Sequence, residues 1–287
     1  MSYRTVDQKA DGESIAKAGE LIEIRGTGDL SLHDRRVLNL LYQAAGDRIC
    51  DDVQHEVPIV HLRGSHKGGE RVKDSILHLM RTVVEVPVKG RNNRPATLRV
   101  QLLSDTTVSD DDADPTGLVV FSFSKGMREV IQNSTHWGRI RGSVVFALTS
   151  KYSLALYELI ALRINLQHRW QEQFSVEQFR ALLGVPKDKL LRSPDLLRYC
   201  IQPAELEVNG LADFGVRIEL LRAGGKERGA LTGFKVSWWR KELPELQAAY
   251  AELQRSKVGR IPRLKGTVQE TVPPTVAAAL EDLRKSD

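Results

Sequence analysis

The chain has 287 residues, with 42 Lys plus Arg against 37 Asp plus Glu and 41% hydrophobic residues. This is the composition of a soluble globular protein with room for two domains of ordinary size, each able to bury a core. No apolar run is long enough to span a bilayer and no charged-then-apolar leader opens the chain, which argues against membrane insertion and secretion. The two cysteines, Cys50 and Cys200, make no disulfide framework and fit a reducing cytoplasm.

In chain order, the first 20 residues are polar and are expected to be loosely ordered. Leu30 to Ala45 carries Leu32, Val37, Leu38, Leu40, Leu41 and Ala44 at helical spacing after a Ser31 cap, Val57 to Leu62 reads as a short strand, and Glu70 to Thr82 is a second helix on Val72, Ile76, Leu79 and Met80. Val83 to Val88, Leu98 to Leu103 and Leu118 to Phe123 are β-rich. Lys89 to Pro95 and the acidic Ser109 to Pro115 separate them. Their edges, at Val83 to Val86 and Leu118 to Phe121, are candidates for pairing with another chain. The joint to the second half is expected near Asn133 to Arg141.

The second half repeats that order. Tyr152 to Leu159 is helical, and Ser175 caps a short amphipathic helix on Val176, Phe179, Leu182 and Leu183 that Gly184 stops. Ser193 offers a further N-cap, with Pro194 at the first helical position and Asp195 near the positive helix end. At about 100° per residue, Leu196, Leu197, Cys200, Ile201 and Ala204 gather on one side of this helix, and Asp195, Arg198, Tyr199 and Gln202 on the other. The second face has the chemistry of a groove reader: Arg chelates guanine, Gln chelates adenine, and Tyr reaches a phosphate or packs on a thymine methyl. Lys187, Lys189 and Arg192 on the preceding turn are placed to meet phosphates.

A polar helix face is most often only solvated, so the strands after it carry the decision. Val216 to Leu220 and Phe234 to Trp238 alternate as half-buried strands, and the glycine-rich Arg222 to Gly233 between them carries Lys226 and Arg228. A hairpin tip with two cations after a helix-turn-helix is what a basic wing looks like. Charge agrees: residues 1–138 hold 18 basic and 20 acidic side chains, residues 139–265 hold 22 and 13, and residues 266–287 hold 2 and 4. Such asymmetry is the footprint of a phosphate-binding domain. Further on, Glu242 to Arg255 is a helix on Leu243, Leu246, Ala249, Tyr250 and Leu253. Ser256 to Pro274 is a basic linker, and Val276 to Leu283 is a short apolar-faced helix whose docking site, on the second domain or on a partner, is left open.

Nothing points to a catalytic centre, a cofactor or a metal. The seven histidines lack zinc-site spacing. The acids Asp110, Asp111, Asp112 and Asp114 read as a solvated loop, since contiguous carboxylates cannot all face one ion. No Gly-x-Ser-x-Gly elbow or phosphate-binding loop occurs. Tyr152 and Tyr157 raise the thought of a nicking nucleophile, but the His pair such chemistry needs is missing.

The stretches LSLHDRRVLNLLYQ (Leu30 to Gln43), ERVKDSILHLMRTVVEVPV (Glu70 to Val88), GLVVFSFSKGMREVI (Gly117 to Ile131) and TSKYSLALYELI (Thr149 to Ile160), with the Pro-Asp-Leu helix running to Glu207-Val208-Asn209, resemble the plasmid replication initiators of the Rep_3 superfamily. The resemblance covers nearly the whole chain. It implies an α+β fold of two tandem winged-helix domains, with residues 21–136 serving dimerisation and auxiliary DNA contacts and residues 137–255 reading DNA. Residues 256–287 are left as linker and short helix. It further implies a non-enzymatic, cytoplasmic DNA-binding initiator that binds directly repeated origin sites, or iterons, opens the origin with host initiator and replicative helicase, and as a homodimer represses its own promoter. One departure concerns the base code: relatives often carry an arginine run after the Pro-Asp start, where this chain has a single Arg198 between Leu197 and Tyr199.

Overall fold

A computed structural model of the chain describes residues 14–63, 69–109, 117–166, 168–225 and 229–267. The first unit runs β1 (Ser14–Ala18), α1 (Gly19–Ile22), α2 (Leu32–Ala45), β2 (His55–Pro58), α3 (Ile59–Leu62), α4 (Glu70–Arg81), β3 (Val83–Lys89), β4 (Pro95–Gln101), β5 (Leu103–Val108), β6 (Leu118–Phe123) and α5 (Lys125–Asn133). The start of α2 is set by Ser31, whose side chain accepts from the Asp34 amide at 3.1 Å while the Asp34 carboxylate accepts from the Ser31 amide at 2.8 Å. This reciprocal pair satisfies two amides that the helix end leaves without partners.

The second unit continues as β7 (Trp137–Arg141), α6 (Gly142–Ala147), α7 (Lys151–Arg163), β8 (Gln171–Ser175), α8 (Val176–Leu183), α9 (Ser193–Leu196), a π turn over Leu197–Ile201, α10 (Gln202–Leu211), β9 (Phe214–Arg222), β10 (Leu231–Arg240), α11 (Leu243–Gln254) and α12 (Arg260–Leu264). Its sheet has the order β8-β10-β9, and the first unit has β2-β6-β5. In both, a strand, two helices and two further strands come after a long helix, and the last strand lies in the middle. The expected recurrence therefore holds as topology. The first unit adds the separate β3-β4 hairpin after its second helix.

Sequence and structure part at several places. Val57 to Leu62 is not one strand: β2 ends at Pro58 and Ile59–Leu62 makes a helical turn. A short apolar run cannot be divided between strand and helix by periodicity alone. Leu98 to Leu103 belongs to two longer strands that part at Leu102. Leu118 to Phe121 is no free edge, because β6 is paired on both sides, and the outer side of β3 meets Arg25 through a bridge to Glu85. Residues 14–20 are not loose, since β1 pairs in antiparallel register with β7, Ser14 opposite Arg141 and Ala18 opposite Trp137. The proposed joint at Asn133 to Arg141 is accordingly the end of α5 and a paired strand. Residues 1–13, Asp110 to Asp114, His66 and Val276 to Leu283 lie outside the described residues.

The seam between the units forms around α7. Its sequence has no polar face, and from Ser153 to Arg163 every residue is buried, as expected of a helix packed on all sides. Its one acid there, Glu158, is neutralised from the first unit: Lys17 Nζ donates to Glu158 Oε2 at 2.9 Å and to Asn39 Oδ1 at 3.1 Å, and Asn39 Nδ2 donates to Glu158 Oε1 at 2.7 Å. Arg163 bridges Glu23 at 2.5 Å and Glu172 at 2.7 Å. Arg36 of α2 donates to the carbonyls of Val145, Phe146 and Leu148 at the end of α6, where carbonyls lack helical partners. A single apolar core runs through both units.

The segment expected to be a basic linker contains α12, which docks on the second unit. Arg260 is buried and donates to Ala147 O at 2.7 Å and to Glu252 at 3.2 Å, while Arg263 reaches Glu252 at 2.7 Å. Helix α11 forms as expected, but Leu243 and Tyr250 of its apolar set are exposed. It is held by the buried Ala249, by Leu253 packed on the core and by polar contacts such as Arg141 Nη1 to the Tyr250 hydroxyl at 2.5 Å.

Candidate nucleic-acid interface

Ser175 and Gln178 cap α8 reciprocally, at 3.1 and 3.0 Å, and Gly184 ends it with φ 67°, a left-handed conformation that favours glycine. The turn beyond it is knitted from below by Arg180, which donates to the carbonyls of Leu190 at 2.6 Å, Lys189 at 2.5 Å and Pro186 at 3.1 Å. Lys187 and Lys189 consequently project outward, both exposed. The cue to Arg180 in the sequence is its place in the last turn of α8, where a cation finds unpartnered carbonyls.

Arg192, not Ser193, occupies the N-cap position of α9. Ser193 is the first helical residue, and the N-cap residue makes no side-chain cap hydrogen bond. The exposed Arg192 guanidinium donates to Asp195 at 2.7 Å, and that hydrogen bond raises its already high pKa. Of the expected inner face, Leu196, Cys200, Ile201 and Ala204 are buried, whereas Leu197 is half-buried. The π turn accounts for this. Pro203 has no N–H to offer the Tyr199 carbonyl, and the helix opens into a wider turn just before it. Arg198, Tyr199 and Gln202 are exposed on that turn and just beyond, with the Arg198 guanidinium 5.3 Å from the centroid of the Tyr199 ring. On the inner side, burial pushes the Cys200 thiol up to about 12.

The helix is tied to the wing and to α7 by the residues Glu205, Glu207 and Asn209. Asn209 exchanges two 2.8 Å hydrogen bonds with the backbone of Val216, and Glu205 accepts from the Ile218 amide at 3.1 Å. Glu207 accepts from the Thr149 amide and hydroxyl just before α7. In the wing, Gly233 is required by close approach, since a Cβ there would collide with the Phe174 carbonyl oxygen. Gly224 and Gly225, at φ 65° and 67°, shape the tip, and Arg222 closes it on Gly229 O at 2.9 Å. Lys226 and Arg228 lie outside the described residues.

The two tyrosines pack against the core. Tyr157 is buried, stacks on Phe214 with ring centroids 5.4 Å apart and accepts from the Arg141 amide at 2.9 Å, and burial drives its pKa well above the usual phenol value. Tyr152 is half-buried and is shifted upward for the same reason. Among the described residues no group of three or more His, Cys, Asp or Glu is arranged to hold a metal ion. None of the described helices is long and apolar enough to cross a membrane.

The family model described as Initiator Replication protein, WH1, matches residues 14–161, more than half of the chain. The chain belongs to this family of replication initiators. A search of curated proteins gave no match. Among solved structures, the Pi initiator protein in complex with iteron DNA is similar at a TM-score of 0.55 and 16% identity, over 80% of this chain and 98% of that one. That likeness supports the fold of two winged helices. RctB domains 2-3 align at a TM-score of 0.37 and 13% identity, over 81% and 88% of the two chains.

Proposed function

We propose that the chain is a non-enzymatic, sequence-specific DNA-binding initiator of plasmid replication that recognises directly repeated origin sites. The observation that carries this is the exposed set Arg198, Tyr199 and Gln202 on α9–α10, beside the outward-facing Lys187 and Lys189, in a member of a replication initiator family. Base edges are met by Arg198 and Gln202, while Tyr199 reaches a phosphate or packs on a thymine methyl. Phosphates are met by Lys187, Lys189, Arg192, Lys226 and Arg228. Ser193 and Asp195 open the reading helix, Asp195 by holding Arg192.

The reader is assigned to residues 137–255, and dimerisation with auxiliary contacts to residues 21–136. Dimerisation then uses an outer strand, β4 or β5, rather than β6. The reading extends to origin opening with host initiator and replicative helicase, repression of the chain's own promoter by the homodimer, and a cytoplasmic location. Footprinting on the intergenic DNA beside the gene tests it. Protection of tandem direct repeats is expected, and protection of only one inverted repeat supports a pure repressor instead. In binding titrations, Lys187→Ala and Lys189→Ala each lower the slope of log K against log salt by about one unit, on repeat and random DNA alike.

A further inference from the structure

Along one flank of the reading helix, Leu197, Pro203 and Leu206 face Ile261 of α12 across a groove of about 680 Å³ whose rim carries Arg198 and Lys265. Helix α12 is held in place there: Gly210 of α10 leaves room for the Leu264 side chain, which a Cβ at that position would overlap, and Arg260 is anchored on Ala147 and Glu252. The chain therefore leaves α12 on the wall of the groove, with residues 268–287 still to come. An apolar floor beside two cations suits an occupant with an apolar face and flanking acids.

Residues 276–283 have that pattern. Val276, Leu280 and Leu283 fall at i, i+4 and i+7 on one helical face with the small Ala279 beside them, and the acids Glu281 and Asp282 fall to either side of that face, toward its back. Residues 266–287 hold 4 acidic and 2 basic side chains against the basic excess of the second unit. From Thr267 to Val276 an extended chain spans roughly 30 Å, ample reach for a groove that begins at Lys265. We propose that in the absence of DNA residues 276–283 dock in this groove, with Glu281 and Asp282 paired to Arg198 and Lys265, so that the tail and DNA compete for the same face. The competition rests on the reading of α9–α10 as the DNA-contacting helix, and the docking does not.

The test uses the full chain. With a benzophenone side chain at position 280 (Leu280→p-benzoyl-Phe), irradiation should cross-link within one molecule to peptides holding residues 194–206 or 260–265, and saturating duplex DNA should suppress the product. Leu280→Asp should raise affinity for repeat and random duplexes alike by about three- to tenfold, as expected when the competent fraction is released from a docked state. Cross-links to other segments or to a second copy overturn the docking. Groove cross-links that persist at saturating DNA, or an unchanged affinity in Leu280→Asp, overturn the competition. A protein that binds no DNA in either form refutes the initiator reading, while the cross-link still reports where the tail sits.

Discussion

The two units share a topology and differ in the surface that their second helix and last loop present. In the first, α4 turns Glu70, Arg71, Asp74, Leu77, His78 and Arg81 outward, a mixed set, and the loop between β5 and β6 is acidic in sequence. In the second, the equivalent helix is widened by a π turn that exposes Arg198, Tyr199 and Gln202, the preceding turn presents two lysines, and the loop between β9 and β10 is glycine-rich and basic. Topology thus places a comparable helix in each unit. On the proposed function, charge and local backbone decide which of the two reads.

The strongest way to break the comparison is at the seam, because the two units can act as one body only if it holds. Lys17→Ala strands the Glu158 carboxylate in the core, with both side chains of the pair only 5% and 6% exposed, and should cost about 3 to 5 kcal/mol in urea unfolding. The double variant Lys17→Met, Glu158→Leu should regain most of that. A single-variant loss below about 1 kcal/mol is what a solvated pair gives and would mean that the units are joined by other contacts.

Arg180→Ala sharpens the assignment of the second unit. It removes the donor to three carbonyls of the lysine turn and should cost about 1.5 to 3 kcal/mol of stability, the range for hydrogen bonds to a charged group. It should also weaken DNA binding, although Arg180 is not assigned to DNA. Unchanged DNA affinity at full folding would show that the turn needs no such support.

A smaller effect is expected at α12. Glu252 is held below its ordinary value by hydrogen bonding from Arg263 first, against the opposing effect of burial, with Arg260 helping. A lowered folded-state pKa means the contribution is complete above the ordinary glutamate value of about 4.5 and is lost as pH falls below it through the folded value. Glu252→Gln should therefore flatten part of the stability loss below that pH. Superimposable acid-unfolding curves for the two proteins would contradict the anchoring of α12.

What the sequence made legible was local. Ser31 with Asp34, and Ser175 with Gln178, announce helix starts because cap and partner lie three residues apart. The outward positions of Arg198, Tyr199 and Gln202 come from the helical period, and those of Lys187 and Lys189 from their place on the turn before the helix. Ser14–Ala18 could not be read, because its order comes from Trp137–Arg141, more than 100 residues away. Glu158, Glu207 and Arg260 were hidden because periodicity sends polar residues outward, and only a distant counter-charge or donor explains their burial. The displacement of Leu197 did have a cue, Pro203 inside a helical pattern.

The central claim is that the second unit reads bases while the first touches only backbone. Arg198→Ala and Arg81→Ala, one exposed arginine on each helix, should be titrated in parallel against the protein's own direct repeat and a scrambled duplex at several salt concentrations. Arg198→Ala should lose about 1 to 3 kcal/mol on the repeat and much less on the scrambled duplex, and Arg81→Ala should weaken both alike. Equal losses on the two duplexes for Arg198→Ala, or loss of preference in Arg81→Ala, would contradict the account.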